Sequence, residues 1–249
     1  MAESFRLLYL KSADFEKPPF VESSPSFKDE LDSERSLSTS EYPLPENFSS
    51  REVLKQAKAD LKHPDPKVRI LAVQYYLEKS NLSITLPDLQ EILEDEDPGV
   101  RAQALASLIK FGNPVVSPFL KRHLKDGDHR VRMIALRGIF QLKEKIDSNL
   151  LKQFTSDDSP WVRRKMATLL GWREVEGGLP LLVEMAKDRE PMVRKAALSS
   201  LLILYPEEGE NRMLEAMADP DKEVRKWVRD QLNRMLQRPL RRNSHGPLR

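Results

Sequence analysis

The sequence predicts an all-α protein built as a stack of helix pairs, and three observations predict it. A Val-Arg pair occurs six times, at Val68-Arg69, Val100-Arg101, Val131-Arg132, Val162-Arg163, Val193-Arg194 and Val224-Arg225, with a first step of 32 residues and four of 31. Three residues before each valine stands Asp65, Asp97, Asp128, Ser159, Glu190 or Asp221, followed by Pro66, Pro98, His129, Pro160, Pro191 or Lys222. Four residues after the valine come Ala72, Ala104, Ala135, Met166, Ala197 and Val228, and eight after it Tyr76, Leu108, Ile139, Leu170, Leu201 and Leu232. Self-similarity at a fixed period outranks any local reading, and here it gives six repeats of about 31 residues.

Each repeat reads as two helices. The first is a short leucine-containing segment, expected at Glu52–Leu61, Pro87–Leu93, Val115–Leu124, Asn149–Thr155, Leu179–Lys187 and Asn211–Ala218. An acidic turn follows, and the second helix carries Val-Arg near its start. The Asp, Ser or Glu before it suits an N-cap, where a side-chain oxygen accepts from an orphan helix N–H. Proline fits the next position because its missing N–H would be unpaired there anyway. Valine and the residues four and eight later form one helical stripe, which an isolated helix pair cannot bury but stacked repeats can. The arginine lies about 100° round from the valine, at the edge of that stripe. Repeats two to six also carry Asp95, Asp126, Asp157, Asp188 and Asp219, five residues before the valine. An Asp and an Arg in every layer are expected to pair as a ladder within or between repeats.

Outside the repeats the composition changes. Residues 1–49 hold ten Ser, five Pro and ten acids against five basic residues, a balance that cannot bury enough to offset ordering. They also hold Phe5, Tyr9, Phe15, Phe20, Phe27, Tyr42 and Phe48, seven of the chain's 17 aromatics. The expected organisation is therefore an acidic, disordered N-terminal segment 1–49, a repeat array 50–237 and a basic, disordered tail 238–249. The aromatics could serve as docking points on the array itself or on a partner. Without cysteine there is no disulfide, thiolate nucleophile or Cys-ligated metal. No signal peptide or spanning stretch is visible, which leads to the expectation of a cytoplasmic monomer away from membranes. No nucleophile–base pair or phosphate-binding glycine loop occurs either, so a non-enzyme without cofactor or metal is expected.

The pattern D-x-D-P-x-V-R-x-x-A-x-x-x-L resembles the HEAT-like repeats first noted in phycobilisome lyases, an ARM-type architecture. It covers residues 50–237. The resemblance implies a right-handed α-solenoid whose second helices line the concave side, and a fold of this kind leaves function to be argued from its sites. Deoxyhypusine hydroxylases resemble the array but bind iron through His-Glu dipeptides. Here His63, His123, His129 and His245 precede Pro64, Leu124, Arg130 and Gly246, so that branch is rejected. An accessory subunit of the phycobilin lyase class and a nucleic-acid-binding solenoid remain open alternatives. A non-catalytic scaffold presenting a groove to a protein or peptide leads.

The candidate groove lies opposite the buried stripe, where the repeats differ. It comprises Arg130 and Arg137 of repeat three, Trp161, Arg164, Lys165 and Trp172 of repeat four, and Met192 and Lys195 of repeat five. Trp161 and Trp172 are eleven residues apart, three turns plus about 20°, and share a face if the helix runs that far. Tryptophan with arginine is the composition of a binding hot spot. The competing reading packs Trp161 on a neighbouring repeat and closes the loop before Gly177-Gly178 with Trp172. The basic cluster Arg225, Lys226, Arg229, Arg234 and Arg238 reads as terminal capping or as a patch for an acidic partner or nucleic acid. Nucleic acid is the weaker option, since no aromatics interleave with the basic tail.

Overall fold

The computed structural model describes residues 50–79, 88–144 and 146–237. The acidic segment 1–49, its expected docking on the array and the basic tail 238–249 lie outside the described residues. Those residues are helical with connecting turns, and no strand occurs among them. Met1–Ile146 and Asp147–Arg249 form two compact units, which divide the chain between repeats three and four.

In the first unit α1 (Ser50–Asp60) pairs with α2 (Pro66–Lys79). A short helix α3 at 88–92 precedes α4 (Pro98–Lys110). A 3-10 turn (Pro114–Val116) leads into α5 (Ser117–His123), which packs on α6 (His129–Gln141). The second helices α2, α4 and α6 pack in succession. Val100, Ala104, Leu108, Val131, Ala135 and Ile139, the predicted stripe of repeats two and three, are all buried.

In the second unit α7 (Ser148–Thr155) packs on α8 (Pro160–Leu170), and α9 (Gly178–Met185) on α10 (Pro191–Leu204). Then come α11 (Pro206–Glu215), a 3-10 turn (Ala216–Ala218) and α12 (Lys222–Gln237). Helices α8 and α10 make the most extensive pairing, and α10 also contacts α11 and α12. Val162, Met166, Leu170, Val193, Ala197, Leu201, Val224 and Val228 of the stripe are buried here too, while Leu232 near the end of α12 is half-buried.

Helix α11 begins five residues before its expected start at Asn211. Pro206 at its first turn and the acids Glu207 and Glu208 suit a helix N-terminus. Gly209, which reads as a loop residue, is buried, and a Cβ there would stand 2.6–2.8 Å from the backbone of Leu201 and Leu202. Glycine is required because the two helix backbones touch. Gly177, with φ of +77°, opens α9 in the left-handed region that glycine adopts without strain.

The caps follow the chemistry of the side chain. Asp65 Oδ1 accepts from Lys67 N–H, Asp97 Oδ1 from Gly99 and Val100, Asp128 Oδ1 from Arg130, and Asp221 Oδ1 from Glu223 and Val224. Ser159 and Glu190 have the same extended cap backbone but make no side-chain cap bond, so the expected cap is conformational only at these two positions.

The ladder is real and it runs between repeats. Arg69, Arg101, Arg163 and Arg194 each grip the Asp of the following repeat, Asp95, Asp126, Asp188 and Asp219, through Nε and Nη2 at 2.6–2.9 Å. The third nitrogen, Nη1, donates to two carbonyls of the arginine's own turn: Asp95 and Glu96 for Arg101, Asp188 and Arg189 for Arg194. The aspartate Oδ1 also accepts the N–H two residues on, as in Asp97 to Asp95 and Asp221 to Asp219. Donor and acceptor are thus both fixed before they meet, the geometry in which a guanidinium fork binds a carboxylate most strongly. Burial opposes ionisation of Asp188 and Asp126. The Arg163 and Arg101 guanidinia and the backbone N–H groups of Glu190 and Asp128 outweigh it, and both carboxyls sit below their ordinary value.

Candidate functional site

Proline at the first turn of α8 sets where its side chains point. Val162 and Arg163 turn inward and are buried, which leaves the preceding position outward. Trp161 is there and is 43% exposed. The Arg164 guanidinium lies 6.0 Å from its ring centroid, within reach of a cation–π contact. Lys165 and Thr168 continue the same side as half-buried residues, the Thr168 hydroxyl donating to the Arg164 carbonyl at 3.1 Å. Helix α10 packs beside α8 in the same register and contributes half-buried Met192 and Lys195. Ser199 Oγ donates to the Lys195 carbonyl at 2.9 Å and so presents no free donor.

Trp172 is placed differently from the expectation. Helix α8 stops at Leu170, and the N–H groups of Gly171 and Trp172 donate three residues back, to Thr168 and Leu169, at 3.0 Å. This tightened turn advances faster per residue than an α-helix and moves Trp172 off the strict line through Trp161. The side chain is nonetheless 44% exposed. Both indoles are thus partly exposed and partly covered. Eleven residues of near-helical rise, about 16 Å, separate the two positions, the reach of a short extended segment.

The two remaining candidates belong to the first unit. Arg130 is exposed, but its Nε and Nη2 donate to the cap Asp128 at 3.0 Å, which chiefly through this contact holds the Asp128 carboxyl below its usual value. Arg137 is half-buried on α6.

Register adds one residue that composition did not single out. Trp227 occupies on α12 the column of Lys165 and Ala196 and is half-buried against Leu198, Met213, Val224 and Val228. Counting three residues on from Val224 would have found it. Leu214 and Met217, 58% and 47% exposed, also escape a reading confined to second helices. Among the described residues no His, Asp and Glu cluster could hold a metal ion, and no helix is long and apolar enough to cross a membrane.

Comparison with known proteins agrees with this architecture. Solved structures that resemble the chain include the Escherichia coli protein YibA, at 20% identity over 75% of each chain with a TM-score of 0.53. The complex of CpcE and CpcF of phycocyanin lyase from Nostoc is 22% identical over 75% of this chain and 79% of that one, with a TM-score of 0.49. The Mot1 N-terminal domain in complex with TBP is 18% identical over 86% of this chain and 35% of that one, with a TM-score of 0.50. At such identities the likenesses to YibA and to the Mot1 domain show the fold alone. No curated protein matches. Residues 52–139 and 148–233 match the family of HEAT repeats, together well over half of the sequence. The chain belongs to the HEAT repeat family.

Proposed function

We propose that the protein is a non-catalytic scaffold that holds an acidic, extended segment of a partner protein against the second helices of repeats four and five. The observation that carries this reading is the exposure of Trp161 on α8 and Trp172 just past its end, beside valine stripes that are buried, Val162, Met166 and Leu170 on α8 and Val193, Ala197 and Leu201 on α10. Exposed tryptophan beside arginine supplies contact area, a cation–π platform and charge-assisted hydrogen bonds at once. Arg164, Lys165 and Lys195 give the surface its positive sign, and Met192 an adaptable apolar edge.

The test is partner capture by the full chain, comparing wild type with the Trp161→Ala, Trp172→Ala double variant after nuclease treatment. The partner should be lost from the variant while its melting temperature stays within about 2 °C of wild type, as for exposed substitutions. Intact capture refutes the site. The rival reading is nucleic-acid binding through the same basic residues. It predicts retention of random duplex that falls steeply with salt, because phosphate contacts release counterions.

A further inference from the structure

One fork of the ladder differs from the rest. Arg225 on α12 holds the same pose as its counterparts, its Nη1 donating to the Asp219 and Pro220 carbonyls at 2.6 and 2.9 Å. In Arg69, Arg101, Arg163 and Arg194 the free Nε and Nη2 take an aspartate of the next repeat. No described residue takes them from Arg225. Its side chain is half-buried, whereas Arg69, Arg163 and Arg194 are buried.

The surrounding columns change with it. Five residues after the valine, Val73, Leu105, Leu136, Ala167 and Leu198 are buried, and the sixth repeat has exposed Arg229. Seven residues before the valine, Leu93 and Leu124 are 2% and 3% exposed, and the sixth repeat has Met217 at 47%. Arg229 lies one turn beyond Arg225 on the same side of α12. A further apolar repeat would have to bury Arg229, so the face is unsuited to plain continuation of the stack. It is instead a preset guanidinium fork with a second cation and an apolar neighbour.

We propose that this face receives an aspartate-bearing acidic turn of a partner protein, bound bidentate on Nε and Nη2 of Arg225. The inner rungs are four bound examples of that complex, and they define the ligand. It is a turn of the form Asp-x-Asp or Asp-x-Glu, whose first carboxylate also accepts the N–H two residues on, as Asp95, Asp126, Asp188 and Asp219 do. A second copy stacked head to tail does not supply it, because the first repeat carries His63 at that position. Nor do residues 238–249, which contain no Asp or Glu. The surface is separate from the tryptophan site and does not depend on that reading.

The experiment follows the Nε–Hε resonance of Arg225 in the nitrogen-15-labelled full chain. The probe is a peptide copying residues 215–224, which carries the Asp219 turn, together with its Asp219→Asn version. The Asp peptide should shift the Arg225 resonance saturably and leave that of Arg194 in place. Affinity should fall at least tenfold for the Asn peptide, and likewise for the Arg225→Lys protein, since an ammonium cannot reproduce the fork. No shift at millimolar Asp peptide, equal response to both peptides, or binding undiminished by Arg225→Lys overturns the proposal. A change in the Arg225 resonance on Asp14→Asn, Asp32→Asn substitution without peptide overturns it too, since Asp14-Phe15-Glu16 and Asp32-Ser33-Glu34 have the form of the ligand and the fork would then be filled by the chain's own N-terminal acids.

Discussion

The two compact units contain the same rungs and differ in almost everything laid over them. On their second helices repeats one to three have three aspartate caps that bond helix N–H groups, while repeats four to six have one, at Asp221, with Asp147 capping the first helix of repeat four. The exposed large apolar side chain described in the first unit is Val115, whereas Trp161, Trp172, Leu214 and Met217 all belong to the second. Identical inter-repeat chemistry therefore supports one well-capped, polar-surfaced unit and one with fewer caps and more exposed apolar area. Binding is to be sought where the columns diverge, because the shared columns are fully accounted for by the stack.

The largest effect should come from breaking a rung. Arg194→Ala leaves Asp219 buried without its fork, and loss of one member of a buried ion pair costs about 3–5 kcal/mol. Arg101→Ala should cost nearly as much in the first unit, its side chain being more accessible at 17%. Urea unfolding of both variants measures this, and a near-zero cost in either unit would mean that the rungs are not equivalent. Gly209→Ala comes next. Its Cβ meets helix backbone rather than a movable side chain, and overpacking of that kind costs about 1–3 kcal/mol.

Caps sharpen the contrast more finely. Asp97→Ala should cost about 1 kcal/mol, as for loss of a bonded N-cap, and Ser159→Ala close to nothing because Ser159 makes no such bond. Equal costs by thermal melting would show that the difference between the units is not energetic. The subtlest effect is in pH. Asp126 and Asp188 are depressed in the folded state, so their stabilisation is present above the unfolded carboxylate value of about 3.9 and fades as pH falls through the lower folded values. The stability gap between wild type and Asp188→Asn should accordingly be constant from about pH 7 to 5 and narrow below about pH 4.

The repeat columns were legible in the sequence because each letter answers one local demand. Valine, alanine and leucine fill a stripe, proline opens a helix, and aspartate meets an orphan N–H. What escaped depends on approach and direction rather than identity. Gly209 reads as a loop residue until a neighbouring backbone is seen against it. The pairing of Asp and Arg in a ladder was readable, but the carbonyl grip that orients Arg101 and Arg194 was not, since carbonyls leave no mark in a sequence. The candidate tryptophans were found by composition. Their exposure is a fact of the fold, as is the 3-10 turn that carries Trp172 past the end of its helix.

The anchored arginine and the aspartate that it meets also bear on how such an array grows. Every inner repeat carries one plug and one socket facing opposite ways, each locked in shape by its own turn. Duplicating a whole repeat therefore reproduces a matched joint on both sides without any new substitution. Losing either half by point mutation spoils a joint in the adjacent repeat, so errors propagate to a neighbour while copies do not. Chains with this joint can lengthen by whole steps, and the near-uniform 31-residue period is what that history would leave behind.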